Sequence, residues 1–244
     1  MSAVAADGRG EERSEQGTPV NRYPSEPAWR AVDEYFTEAL VREDAALIAA
    51  RDSGSETTMP NAEVAPNQGA FLGLLAQIAG ARRVLEFGTL AGYSTLWCAR
   101  AVGADGRVVT FELEETNAAV ARRNLERAGV ADRVDVVVGA AAASAQRLID
   151  EGAEPFDLVF IDADKPSNPV YLAAALQLTR SGAVLVIDNV VRQGAVVRAD
   201  TGDPRVEGVR RLVDDIVAHP DLDATAIQTV GIKGWDGLIL ARRR

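Results

Sequence analysis

The sequence VLEFGTLAGYST, residues 84–95, decides the fold of this chain. Its first four residues are mostly apolar and predict a buried β-strand, whereas a helix-like run begins at Tyr93. Gly88 and Gly92 allow a tight turn between the two and leave room for a ligand close to the backbone. Ligands of open α/β sheets bind beyond the carboxyl ends of the strands, where this turn lies. The stretch therefore predicts an α/β fold with a ligand site at the turn.

The residues of this turn also limit the kind of ligand. The glycines are spaced G-x-x-x-G, and not G-x-G-x-x-G as in dinucleotide-binding turns. The carboxylate of Glu86, just before Gly88, would repel a pyrophosphate and attract an ammonium or sulfonium group. Both features argue against a nicotinamide-dependent oxidoreductase, which is one alternative for such a fold.

Strand-like and helix-like runs alternate from residue 84 onward. Five runs predict strands: 84–87, Arg107–Glu112, Val134–Val138, 158–162 and 183–188. The helices between them are expected to begin near Tyr93, Asn117, Ala143 and Asn168. Two later strands, 224–229 and 237–241, have no helix between them and should pair antiparallel at the sheet edge. The prediction is a doubly wound, seven-stranded mixed sheet made of five parallel strands and a C-terminal antiparallel hairpin.

The chain before residue 84 has two parts. Residues 1–25 are polar and charged, which predicts a disordered tail. Pro27 is suited to the first turn of a helix, and helical segments are expected up to residue 80. We therefore predict one domain, 26–244, in which residues 26–80 form an N-terminal helical cap.

The composition excludes several classes of function. The 244 residues are 47% apolar, which is enough for one large core. A net charge of −10 argues against a nucleic-acid partner, which would require a basic face. A long apolar segment and a signal-peptide pattern are both missing, so we expect a cytoplasmic protein without a membrane partner. The single cysteine, Cys98, excludes an intrachain disulfide, and the lone histidine, His219, argues against a histidine-centred triad or a zinc site.

Glu112 ends the second predicted strand, 24 residues after Gly88. An acidic side chain at about this distance can accept hydrogen bonds from both ribose hydroxyls of a nucleoside. Residues 139–142, Gly-Ala-Ala-Ala, follow the third strand and are small enough to admit a flat adenine ring. The alternatives are a surface acid at Glu112 and a plain loop at 139–142. A non-catalytic nucleoside-binding protein is therefore another interpretation of this half of the site.

Oxygen-bearing side chains follow the fourth and fifth strands. Asp162 ends the fourth, and Asp188 and Asn189 end the fifth. Neighbouring parallel strands would bring the three together, and oxygen ligands suit a hard cation such as Mg²⁺ or Ca²⁺. Alternatively, these side chains only cap the helices that follow. Lys165 would lie beside the cluster, either as a general base with a lowered pKa or as an exposed lysine in a salt bridge.

Four sequence blocks carry a resemblance to one enzyme family: VAPNQG (64–69), LEFGT with GYS (85–94), DADK (162–165) and DN (188–189). The chain resembles class I S-adenosylmethionine-dependent O-methyltransferases of the cation-dependent group, which includes caffeoyl-CoA and catechol O-methyltransferases. The resemblance extends over residues 27–244 and includes GWDG at 234–237. It implies a Rossmann-like methyltransferase fold and a homodimer.

The resemblance also implies roles for individual residues. The residues expected to contact the methyl donor, S-adenosylmethionine, are Val64, Glu86, Gly88, Thr89, Ser94, Glu112, Ala141 and Asp164. Asp162, Asp188 and Asn189 would bind a divalent metal, Mg²⁺ with Ca²⁺ or Mn²⁺ as alternatives. Lys165 would be the general base, and Asp162 would also face the acceptor, a small aromatic molecule with two neighbouring hydroxyls. The implied reaction transfers a methyl group to one of those hydroxyls.

The sequence departs from this family at two positions near the expected pocket. Ala62 stands where relatives often have methionine, and Asn168 stands where many have tyrosine. These departures leave the identity of the acceptor open. The segments expected to select it are the N-terminal helix, residues 190–203 and the region around Trp235.

Overall fold

Eight α-helices and seven β-strands form residues 26–244, the part of the chain that this computed structural model describes. The helices are α1 (Pro27–Leu40), α2 (Ala45–Asp52), α3 (Pro66–Ile78), α4 (Tyr93–Ala101), α5 (Glu115–Arg127), α6 (Ala141–Asp150), α7 (Asn168–Gln177) and α8 (Pro204–Ala218). The strands are β1 (Arg83–Phe87), β2 (Arg107–Glu112), β3 (Val134–Val138), β4 (Phe156–Ile161), β5 (Thr179–Asp188), β6 (Leu222–Gly231) and β7 (Gly234–Arg243). Within 26–244, every helix is too short or too polar to cross a membrane. The predicted disordered tail, 1–25, lies outside the described residues.

The strands form one mixed sheet in the order β3-β2-β1-β4-β5-β7-β6. The first five are parallel, and β7 pairs antiparallel with both β5 and β6. The predicted seven-stranded sheet, with its C-terminal antiparallel hairpin, is therefore confirmed. β1 has β2 on one side and β4 on the other, so the chain order reverses next to β1. The crevice at such a reversal is where open α/β sheets bind ligands.

Helices cover both faces of the sheet, which explains why the central strands are apolar along their whole length. β4 is buried at each of its six positions, as expected for a parallel strand between two apolar layers. On one face, Phe87 packs against Phe111 and Tyr171, with ring centroids 5.2 and 4.9 Å apart. On the other face, Leu72 of α3 and Leu96 of α4 belong to the buried cluster. These two layers fix the strand ends that carry the candidate site.

The observed bounds of several elements differ from the expected ones, among them those of β4 and β5. β4 ends at Ile161, so Asp162 lies just beyond the strand and its N–H donates to Phe87 O at 2.9 Å. β5 begins at Thr179, earlier than the expected residue 183, because a register irregularity against β4 lets polar residues join the strand. α3 begins at Pro66, since proline fits the first turn of a helix. None of these shifts moves a strand end away from the crevice.

α1 is an amphipathic helix on the outside of the molecule. All of its residues are described, none is buried, and its exposed apolar side chains are Val32, Tyr35, Phe36 and Leu40. Asp33 attaches the helix, because its Oδ1 accepts from Asn67 Nδ2 at 2.9 Å and its Oδ2 accepts from Ile232 N at 2.7 Å. These bonds join α1 to the first turn of α3 and to the turn between β6 and β7.

Candidate functional site

The turn that follows β1 lies against the end of β4. Gly88 has a φ of 99°, and a Cβ at this position would lie 2.4 Å from the carbonyl oxygen of Asp162. Only glycine therefore lets the turn approach β4 this closely. Gly92, with a φ of 80°, then serves as the N-cap of α4. The structure thus places the glycine turn where the sequence predicts it, at the crevice beside β4.

The side chain of Glu86 stabilises this turn through hydrogen bonds to α4 and β2. It is fully buried, and hydroxyl groups donate to its carboxylate from Ser94 at 2.6 Å, from Thr110 at 2.7 Å and from Thr95. Burial raises the pKa of Glu86 to about 7, although the three hydrogen bonds act in the opposite direction. The carboxylate holds the first turn of α4 against the strands. Its contact with a ligand stays a prediction, since the side chain has no exposed surface here.

Glu112 lies across the turn at the end of β2, where it is buried. Its Oε2 accepts from Leu90 N at 2.8 Å, and its Oε1 accepts from Glu114 N at 3.0 Å and Asn117 Nδ2 at 3.1 Å. A carboxylate has about four acceptor positions, so about one remains for a ligand hydroxyl. Glu112 therefore shapes the backbone of the turn as well as facing the crevice, which the sequence did not indicate.

Asn117, which the sequence indicates only as the start of a helix, makes buried contacts near the turn. Its buried amide donates to Glu112, donates to Thr58 Oγ1 at 3.0 Å and accepts from Thr58 N at 2.9 Å. Thr58 belongs to the segment that leads to Val64 and α3. The amide therefore connects the N-terminal cap to the carboxylate at the end of β2.

Three further residues are predicted to contact the methyl donor: Val64, Thr89 and Ala141. Val64 is buried just before α3, and Ala141 is the first residue of α6, beyond the end of β3. Thr89 is buried in the turn, and its hydroxyl pairs with that of Thr110 at 2.6 Å. Thr89 and Ala141 thus follow the carboxyl ends of β1 and β3, whereas Val64 precedes α3, and contact of the three with the methyl donor stays a prediction.

Asp164 is exposed at the start of the short 3-10 helix Lys165–Ser167. Its Oδ2 accepts from Ser167 N at 3.2 Å and Ser167 Oγ at 2.6 Å, and its Oδ1 accepts from the hydroxyl of Tyr171. These hydrogen bonds make Asp164 the N-cap of the 3-10 helix. Asp164 is nevertheless exposed to solvent, and its contact with the methyl donor stays a prediction.

Asp162, Lys165 and Asp188 come together at the ends of β4 and β5. Lys165 is buried, and its Nζ donates to Asp162 Oδ1 at 2.8 Å. The pKa of Asp188 rises to about 7, first because the side chain is buried and then because the charge of Asp162 is close; the charge of Lys165 acts in the opposite direction. Asn189 follows with a left-handed φ of 56°, and its N–H donates to Asp188 Oδ1 at 2.7 Å. The structure therefore brings Asp162, Lys165 and Asp188 together, whereas the part of the Asn189 side chain in this cluster stays a prediction.

The chemistry of this donor set fits a hard cation. The charge of Asp162 lies close enough to raise the pKa of Asp188, and a positive ion held by both carboxylates would offset this repulsion. Among residues 26–244, no group of three or more His, Cys, Asp or Glu side chains could hold a metal ion. A cation site at Asp162 and Asp188 would therefore depend on the amide oxygen of Asn189 as the third protein ligand.

Gln68 also reaches this cluster, and the sequence analysis gave it no role. Its Nε2 donates to Asp188 Oδ2 at 2.7 Å, across 120 residues of sequence. The block VAPNQG contains this glutamine, but nothing in the local pattern shows which strand end the side chain approaches. The contact depends on how α3 packs on the sheet.

The segment that follows Asn189, residues 190–203, contacts the region around Trp235. Asp236 Oδ1 accepts from Val191 N and Arg192 N, each at 3.0 Å. The ring of Trp235 lies against Gly194, where a Cβ would come within 2.8 Å of the ring. Two of the three segments expected to select an acceptor are therefore in direct contact.

Comparison with known proteins gives consistent similarities. The sequence model of the O-methyltransferase family matches residues 37–244. A catechol O-methyltransferase of Mycobacterium tuberculosis is 51% identical over 210 residues, which cover 86% of this chain and 94% of that protein. A catechol O-methyltransferase of Niastella koreensis is 46% identical over 213 residues, which cover 87% of this chain and 96% of that protein. The crystal structure of the O-methyltransferase from Bacillus cereus in complex with SAH has 49% identity and a TM-score of 0.87, and the match covers 89% of this chain and 99% of that one.

Proposed function

Because the chain belongs to the O-methyltransferase family, and is an S-adenosylmethionine-dependent O-methyltransferase, we propose that it methylates one hydroxyl of a catechol-like acceptor with the help of a divalent cation. The observation that carries this proposal is the grouping of Asp162, Lys165 and Asp188 beside the turn after β1. Two relatives that are named catechol O-methyltransferases support the substrate class.

The cation would be held by Asp162, Asp188 and Asn189, whose oxygen atoms suit Mg²⁺, with Ca²⁺ or Mn²⁺ as alternatives. When bound, such an ion lowers the pKa of a hydroxyl attached to it. The protein contributes two neighbouring carboxylates, a buried one at Asp188 and a half-buried one at Asp162, whose repulsion a positive ion would offset.

Lys165 would remove the proton of the acceptor hydroxyl. Its Nζ lies 2.8 Å from Asp162 Oδ1, so the carboxylate directs the amine toward the edge where the acceptor would lie. The side chain is buried, which shields the proton transfer from bulk water. A lysine in this position takes the proton at Nζ in its neutral form, without being a cation ligand itself.

The donor would occupy the crevice beyond β1. The residues proposed to contact it are Val64, Glu86, Gly88, Thr89, Ser94, Glu112, Ala141 and Asp164. Since the turn after β1 touches the backbone of Asp162, these residues would hold the donor next to the acceptor. Most of the acceleration would then come from residues that fix the donor and acceptor in line.

The proposed function is tested by incubating the protein with S-adenosylmethionine, Mg²⁺ and a panel of aromatic alcohols. We expect mass spectrometry to show one added methyl group on vicinal diols and none on matched monophenols. The proposed substrate class would be contradicted if monophenols were methylated as well as diols. It would also be contradicted if no diol in the panel were methylated.

Replacement of Glu112 by alanine should weaken binding of the methyl donor by about ten- to a hundredfold. A hydrogen bond to a charged group is worth about 1.5–3 kcal/mol, and about one acceptor position of this carboxylate is open to a ligand. Calorimetric titration with S-adenosylmethionine measures the effect. Glu114→Ala, which removes an exposed neighbouring acid, serves as the control. A donor Kd that is the same in Glu112→Ala and wild type would show that Glu112 is only structural.

We also propose that the protein is a homodimer in which α1 is covered by a second copy. The helix exposes four apolar side chains, which is unusual for a surface that faces only water. Light scattering at micromolar concentration should give about twice the chain mass of 25.9 kDa. Phe36→Glu should lower this value, whereas Val217→Glu, at an exposed apolar position on α8, should not. A wild-type mass of 25.9 kDa would reject the dimer.

A further inference from the structure

We propose that Gln68 is a positioning residue of the cation site, which sets the orientation of the Asp188 carboxylate. The inference rests on the proposed function, because Asp188 is one of the proposed cation ligands. Gln68 itself would not touch the cation. Its side-chain amide acts through Asp188.

Both oxygens of Asp188 are held by hydrogen bonds from the protein. Gln68 Nε2 donates to Oδ2 at 2.7 Å, and the N–H of Asn189 donates to Oδ1 at 2.7 Å. A carboxylate held at both oxygens cannot rotate about its last torsion without breaking one of these bonds. Each oxygen still has a second acceptor position, so a cation could bind the carboxylate in the orientation that the two donors impose.

The two hydrogen-bond donors to Asp188 are positioned by different parts of the fold. The N–H of Asn189 belongs to the residue next to Asp188, so its position follows from the backbone at the end of β5. Gln68 lies on α3, in the N-terminal cap, and reaches the carboxylate from a different part of the fold. Gln68 is therefore the contact through which the cap can influence the geometry of the site.

Neighbouring contacts hold Gln68 in place. Its own N–H donates to Asn67 Oδ1 at 2.9 Å, and Asn67 Nδ2 donates to Asp33 at 2.9 Å. Asp33 in turn accepts from Ile232 N at 2.7 Å. The first turn of α3 is thus braced against α1 and the turn between β6 and β7, so the amide of Gln68 is presented to Asp188 from a fixed support.

Hydrogen-bond partners of ligating residues commonly contribute to metal affinity, and their loss typically costs about 10–100-fold. Gln68→Met keeps the length of the side chain and removes the N–H donor. We expect this variant to bind Mn²⁺ about 10–100-fold more weakly than wild type, as measured by the loss of the free Mn²⁺ signal in electron paramagnetic resonance. The donor Kd and the thermal midpoint should stay at their wild-type values.

The matched control is Gln77→Met, which makes the same substitution at an exposed position of the same helix and should bind Mn²⁺ like wild type. Gln68→Leu removes the same donor with different packing and should show the same loss of Mn²⁺ affinity, which keeps the test usable when the methionine variant does not fold. The binding measurement uses Mn²⁺ alone and needs no turnover.

The outcomes separate this inference from the proposed function. Wild-type Mn²⁺ affinity in folded Gln68→Met or Gln68→Leu would overturn the positioning role and leave the cation site standing. A fall in thermal midpoint without a change in Mn²⁺ Kd would also overturn it, because Gln68 would then only join α3 to β5. A wild-type protein that binds no Mn²⁺ would refute the cation site itself, and the inference with it.

Discussion

Lys165→Met is expected to lower kcat by about 10²–10⁴-fold, which is the usual contribution of a general base. Methionine keeps most of the bulk of the lysine stem and cannot take a proton. Because Lys165 is not a proposed ligand of the methyl donor, the donor affinity should hold; the variant also loses the hydrogen bond to Asp162, a proposed cation ligand, so kcat is compared at saturating cation. Steady-state kinetics with a catechol acceptor, together with calorimetric titrations of donor and cation, measure the two parts of this result.

Two comparisons distinguish a base from a residue that only positions the acceptor. Lys165→Arg keeps the positive charge beside Asp162 but does not accept a proton at neutral pH, so it should lose a similar factor in kcat. The loss should shrink for nitrocatechols, whose acidic hydroxyls need little help to ionise. Equal losses on acidic and ordinary catechols would show that Lys165 positions the acceptor and does not take its proton.

Removal of divalent cations by EDTA should abolish methyl transfer, and added Mg²⁺ should restore it. The reason is the cluster of oxygen ligands at the ends of β4 and β5, where two carboxylates lie close together in a buried setting. Asp188→Asn should cause a comparable loss at cation concentrations that saturate wild type. The control, Asp214→Asn, removes one exposed acid from α8 and should leave the cation requirement unchanged. Turnover that survives thorough chelation would refute this prediction.

The main features of the fold could be predicted because they depend on local sequence. The alternation of apolar runs and the glycine turn at Gly88 indicate a parallel sheet, and the absence of a helix between the last two strands indicates the hairpin. The order of strands in the sheet could not be predicted from local sequence. It depends on the direction in which each connection crosses the sheet. Some errors in strand bounds, such as the start of β5 at Thr179, arise where polar residues continue a strand.

The candidate site could be predicted where its residues lie directly at strand ends, as Asp162 and Asp188 do. The orientation of Glu86 could not, because a central parallel strand is buried on both faces and its periodicity does not distinguish them. The contacts of Gln68 with Asp188 and of Asn117 with Thr58 span 120 and 59 residues. Such contacts depend on how helices dock against the sheet, and local patterns carry no information about docking.

The hydrogen bond between Asp33 and Ile232 joins residues that are 199 positions apart. During synthesis from the N-terminus, α1 emerges from the ribosome long before the turn that receives it. Closing so long a loop has a high entropic cost, so this attachment belongs to the late steps of folding. An unfinished chain therefore carries α1 without the anchor at Ile232 N until the last strands of the sheet have formed.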